Sequence, residues 1–178
     1  MNSQFRLYVS TAVLILVTMI SAAAADEPSN PSAPVRVQAR KLAPNFVLKD
    51  ALGKTVTLKQ YRGRIVVLDF WATWCTGCKK EIPWFSEYQK RYGVRGLSII
   101  GIAMDEGGWS KVKPFLRETR VPYRMLLGNE ATAAKYEIQS LPDTFLIDRH
   151  GRIVAMYRAR LVDQKELEAS IKAVLSEK

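Results

Sequence analysis

The sequence predicts an α/β fold: a central mixed β-sheet with helices on both faces and a β-hairpin extension at its N-terminal end. Three observations predict it. The runs Ile65–Trp71 and Leu97–Ala103 are almost continuously apolar and β-branched, the pattern of strands buried on both faces. Each is followed by a longer stretch of helical period. The last third then changes to strand–turn–strand and one amphipathic helix. At 178 residues, 48% hydrophobic and 25% charged, the chain can bury a core and is too apolar for wholesale disorder.

The elements follow in order. Residues 1–25 carry one positive charge at Arg6, an apolar middle over 7–20 and a run of small residues, Ser21 and four alanines, before Asp26. Basic start, apolar middle and small-residue end describe a secretory signal peptide cleaved after Ala25. The competing reading is an uncleaved anchor, since the 19 residues from 7 to 25 are near the lower limit for spanning a bilayer. Residues 26–40 hold Pro28, Pro31 and Pro34 among serines and asparagine, the composition of a flexible linker. The folded domain is expected over 41–178. It opens with a hairpin, 45–48 and 55–58, around Asp50-Ala51-Leu52-Gly53-Lys54. Strand Ile65–Trp71 leads into a helix over 75–92, strand Leu97–Ala103 into a helix over Trp109–Thr119, and a strand over 123–127 into a short helix over 131–136. The leading strands should be parallel, joined by right-handed crossovers. Strands over 144–147 and 153–157 flank a turn at Asp148-Arg149-His150-Gly151. The helix over 164–175 places Leu167, Ile171, Val174 and Leu175 on one face.

Charge and cysteine count narrow the function. The chain carries 27 Lys and Arg against 17 Asp and Glu, a net +10, and loss of the leader removes only Arg6, leaving +9. The basic residues are scattered, densest at Lys79-Lys80 and from Arg117 to Arg124, and export argues against nucleic acid as a partner. A solvated face is the plain reading; docking to acidic proteins or anionic lipid is the sharper one. Two cysteines are too few for a disulfide scaffold, and a single histidine, His150, leaves little for zinc.

Cys75 and Cys78 directly follow a buried strand and open a helix. Their spacing puts both sulfurs on one side of the first turn, close enough to bond. Unpaired N–H groups and the partial positive charge of a helix start favour thiolate. Cys75, at the very end, is the expected nucleophile, and Cys78, one turn further in, the resolving thiol. A c-type haem site would need His where the chain has Lys79, and a structural disulfide would close too small a loop to add much stability.

On these residues the chain resembles the thioredoxin superfamily, and within it the exported TlpA/ResA/DsbE-like thiol-disulfide oxidoreductases. The resemblance covers nearly everything after Lys41 and is strongest in VVLDFWATWCTGCKKEIP (66–83) and SLPDTFLID (140–148). It implies a thioredoxin-like fold and a periplasmic disulfide oxidoreductase with Cys75, Cys78, Asp69 and Glu81 at its catalytic centre, needing no metal or organic cofactor. It also implies that Leu141-Pro142 is a cis peptide opposite the cysteines, able to pair with a substrate strand together with Trp74, Thr76 and Gly77. An ordinary strand-edge proline is the alternative there. Asp69, set among apolar residues, should be raised in pKa and placed to move a proton on or off Cys78; a satisfied strand-end aspartate is the alternative. Glu81 matches a glutamate that tunes the pair in ResA-like members, and a surface helix acid explains it equally well. Trp71 reads as core, and Pro83 as a structural kink.

The chain departs from the pattern in several respects. Thr76-Gly77 lies between the cysteines in place of the usual Gly-Pro or Glu-Pro, Asp143 stands where thioredoxin has threonine, and the leader reads as cleavable where many relatives stay anchored; Asp69 also stands where ResA-like proteins more often carry asparagine. The implied role is reduction of protein disulfides, with apocytochrome c or a copper-site assembly protein as substrate and a thiol-reducing membrane protein as electron donor. One rival is a thiol peroxidase, whose P-x-x-x-T-x-x-C pattern would need Pro and Thr where Leu68 and Ala72 stand. The other is a non-enzymatic copper-binding assembly factor, which would want a His or Met cluster near the thiols.

Overall fold

The computed structural model describes residues 40–177 and the backbone of a two-residue strand, β1 (Val35–Arg36). The expected leader lies outside the described residues, as does most of the expected linker. β1 falls within that linker stretch, where it pairs antiparallel with β8 (Ile153–Arg158).

The centre of the sheet is β4 (Ile65–Trp71), with β5 (Leu97–Ala103) parallel on one side and β7 (Asp143–Ile147) antiparallel on the other. Every residue of these three strands is buried, which is why their sequences show no polar alternation. β6 (Arg124–Leu127) continues the parallel set beyond β5, and the hairpin β2 (Val47–Asp50)–β3 (Thr55–Thr57) adds antiparallel strands beyond β6. The full order is β1-β8-β7-β4-β5-β6-β2-β3.

The hairpin turn is held by Asp50, whose Oδ1 accepts from the N–H groups of Leu52 and Lys54 at 3.0 Å. Its Oδ2 takes the Arg124 guanidinium at 2.6 Å, tying the turn to β6. Leu58, expected as strand, instead begins a 3₁₀ turn, Leu58–Tyr61. There the Gln60 side chain accepts from the Thr57 N–H at 3.1 Å and draws the chain out of the ladder.

Two cores fill the two faces. The odd-numbered residues of β4 pack with α1 (Thr76–Tyr92), α2 (Trp109–Thr119) and α4 (Gln164–Ser176), through side chains such as Phe85, Val112 and Ile171. The even-numbered Val66, Leu68 and Phe70 pack under Tyr136 and Ile138, which follow α3 (Glu130–Lys135), and under Phe46 and Leu58 from the N-terminal hairpin region. On α4, Leu167, Ile171 and Val174 are buried as its period predicts, joined by Ser170. α1 continues through Pro83, whose ring is exposed. Among the described residues, no helix is long and apolar enough to cross a membrane.

Candidate active site

The end of β4 delivers the chain to a loop, 72–75, that a single carboxylate holds in place. Asp105, buried just beyond β5, accepts the Thr73 N–H at 3.1 Å and the Thr73 hydroxyl. Ala72 and Cys75 close a backbone turn, Cys75 N–H to Ala72 O at 3.1 Å. Trp74 is thereby pushed outward and is 66% exposed.

Cys75 is the N-cap of α1, and its Sγ accepts the Cys78 N–H at 3.1 Å. One of the orphan donors at the helix start is thus aimed at sulfur, the arrangement that stabilises a thiolate. The two cysteines form a disulfide with Cα atoms 5.3 Å apart. Cys75 keeps 6% of its surface exposed and Cys78 none, so attack from outside falls to Cys75.

Opposite the pair, the Leu141–Pro142 peptide is cis. Gly77 faces this loop. A Cβ there would lie 3.5 Å from Pro142 Cδ and 3.5 Å from Leu161 Cδ2. Thr76 is exposed on the same turn. Trp74, Thr76, Gly77 and Pro142 are therefore gathered around the cysteines, and Leu161, which no sequence signal singled out, joins them. Leu161 is placed by a loop pinned at both ends. The Ala159 N–H donates to Asp143 Oδ1 at 2.6 Å, with Ala159 in the left-handed region at φ 54°, and the Val162 N–H donates to Glu81 Oε1 at 2.6 Å.

Two acids lie wholly buried beneath the surface. Asp69 Oδ1 accepts the Thr144 hydroxyl at 3.2 Å from the neighbouring strand, and Oδ2 has no partner among the described residues. Burial, then the Glu81 charge, push Asp69 well above the ordinary carboxylate range, against the pull of the Thr144 hydroxyl. Glu81 is raised from 4.5 to about 7 by burial, partly offset by the Val162 N–H, and its Oε2 is also unpaired. Glu81 is thus no surface acid, although its place on α1 allowed one. Tyr123 lies in the same core with its hydroxyl buried and unpaired, and its pKa is raised by burial and by the Asp69 and Glu81 charges. Trp71 is core, as expected. Asp143, raised by burial, faces Arg158 at 3.6 Å.

Buried acids beside a solvent-edge dithiol can exchange protons as sulfur changes between thiol, thiolate and disulfide. Comparison with known proteins bears on the dithiol itself. Residues 39–156 match the AhpC/TSA family. The chain is 32% identical over 140 residues to the thiol-disulfide oxidoreductase ResA of Bacillus thuringiensis subsp. konkukian, covering 78% of this chain and 80% of that protein. It is 29% identical over 170 residues to ResA of Bacillus subtilis, covering 92% and 90%. Among solved structures, one described as the thiol:disulfide interchange protein DsbE of Chlorobium tepidum superposes with a TM-score of 0.72 at 29% identity, over 77% of this chain and 97% of that one. The chain therefore belongs to the AhpC/TSA family, and within its thioredoxin-like fold it is a thiol-disulfide oxidoreductase of ResA type with Cys75 and Cys78 as its redox pair.

Proposed function

We propose that this oxidoreductase works as an exported dithiol reductase of protein disulfides, in the periplasm after loss of a leader over residues 1–25. The observation that carries the reading is the division of the pair: Cys75 at the solvent edge with an N–H on its sulfur, Cys78 wholly buried on the helix that also carries the raised Glu81. The Cys75 thiolate attacks one sulfur of a substrate disulfide, and the other leaves as thiolate. Cys78 gives its proton to the Asp69–Glu81 pair and attacks Cys75, forming the enzyme disulfide and expelling the second substrate sulfur. Two electrons pass to the substrate, which ends as a dithiol. An acid whose pKa is near neutrality accepts and returns that proton at little cost.

Leu141 and Pro142 offer an edge for a substrate strand, and Trp74, Thr76, Gly77 and Leu161 form its apolar walls. The substrate is a protein disulfide, of apocytochrome c or of a copper-site assembly protein, and the electrons come from a thiol-reducing membrane protein. A direct test mixes the reduced protein with an oxidised Cys-x-x-Cys-His peptide and, separately, the oxidised protein with the reduced peptide. Rapid, near-complete transfer of electrons to the peptide supports the reading. Transfer mainly in the other direction overturns it and makes the protein a disulfide donor.

A further inference from the structure

Beneath the cysteines, hydrogen-bond accounting leaves a matched remainder. Asp69 and Glu81 each satisfy one oxygen, through Thr144 and Val162, and each leaves the other buried without a protein partner. In the same core, two buried donors also lack a partner: the Tyr123 hydroxyl and the Trp71 Nε1–H. Buried polar groups are rarely left unpaired, and here two acceptors and two donors are left over among the described residues of one region.

The strand register explains how they come together. Asp69 pairs with Gly101 on β5, and Gly101 with Met125 on β6, two residues after Tyr123. Met125 and Trp71 fill the space over Gly101, where a Cβ would lie 2.3 Å from Met125 Sδ and 3.0 Å from Trp71 Nε1. The indole nitrogen thus lies over β5, next to the strand that carries Asp69. Tyr123 enters from the far side. Its ring borders an open groove of about 430 Å³ beside Leu116, Val121 and Pro122, while its hydroxyl points into the buried interior.

We infer that Tyr123 is a positioning residue for the redox reaction: its hydroxyl donates to the ionised form of the Asp69–Glu81 pair and so holds that pair at one shared proton. This rests on the proposal that the pair serves Cys78. Two buried carboxylates in electrostatic contact cannot both ionise cheaply, and they titrate as a unit. A phenol donating to the unit favours its anion. The other groups bearing on the pair are the Val162 N–H on Glu81 and, on Asp69, Asp143 from β7, itself opposed by Arg158. None of these supplies a donor to the two free oxygens among the described residues.

The test is the reduction potential of the full protein as a function of pH, from pH 5 to 9, for the wild type and Tyr123→Phe. The substitution keeps the ring and removes only the hydroxyl. Loss of a donor to the anion should move the inflection due to the acid pair upward by about one pH unit, with the potential at pH 5 unchanged. An inflection that stays within a few tenths of the wild-type position overturns the role for Tyr123. The unfolding midpoint at pH 5, where the pair is protonated, is the control: deletion of the hydroxyl should leave it unchanged or raised there. The Asp69→Asn/Glu81→Gln double variant separates the two ideas. If it keeps the wild-type inflection, the acid pair does not govern the cysteines and both readings fall; if it abolishes the inflection while Tyr123→Phe does nothing, only the Tyr123 inference fails.

Discussion

Glu81→Gln offers a sharp test of the buried acids, because the cost of ionising Glu81 can be worked from the structure. Its carboxyl rises from 4.5 to about 7 on folding, through burial. A group raised in the folded state adds its stability below its unfolded pKa and loses it as pH rises through the folded value. Stability should therefore fall between pH 4.5 and pH 7 and level off above. With those two values, linkage gives a loss of about 2–3 kcal/mol between pH 5 and pH 8 from this group alone. Relief of Asp69 from the Glu81 charge adds to the difference. Glutamine keeps an oxygen for the Val162 N–H but cannot ionise, so the variant should lack this loss. For a chain of this size, the wild type should drop by roughly 5–10 °C more than the variant in unfolding midpoint over that pH interval. The assay is urea or thermal unfolding of the oxidised protein at pH 5, 6, 7 and 8. Parallel pH profiles for wild type and variant would refute a buried, raised Glu81.

Other expectations concern the neighbours of the pair. Cys78→Ser should accumulate a mixed disulfide with substrate through Cys75, visible by non-reducing mass spectrometry, and Cys75→Ser should form none. Thr144→Val removes the hydroxyl that donates to Asp69 Oδ1 and should push its carboxyl higher still, so the infrared band of protonated Asp69 should persist to higher pH than in the wild type. Asp105→Ala leaves the Thr73 N–H and hydroxyl without their acceptor and should cost about 1–3 kcal/mol in denaturant unfolding, with a slower reaction at Cys75 as the loop loosens. Gly77→Ala should be tolerated in the folded protein, because its Cβ meets only ordinary contacts at 3.5 Å, so an unchanged or raised midpoint is expected.

The fold was largely legible because its central strands have no polar face to hide. Ile65–Trp71 and Leu97–Ala103 are continuous apolar runs in the sequence, and both are strands over those same residues. Boundaries moved where side chains compete for the backbone, as when Gln60 turns Leu58 out of the β3 ladder. The cysteines were legible because helix-start geometry and spacing are local. Asp69 could be read as buried from its strand alone. Glu81 could not, since a helix of mixed character does not show which turn is covered until the 159–162 loop closes over it through Val162. Leu161, Asp105, Thr144 and Tyr123 were missed for a related reason: each reaches the site from a distant segment, and no local pattern marks a side chain that acts across the fold. Asp105 had one readable trace, an acid directly after a fully apolar strand.

The central claim is that this pair carries electrons towards substrate disulfides, and the reduction potential tests it most directly. It would be measured at pH 7 in glutathione and dithiothreitol buffers, following the fluorescence of Trp71 and Trp74. A value near the roughly −270 mV of thioredoxin is predicted. A value near the roughly −120 mV of a strong disulfide donor would contradict the reductase assignment.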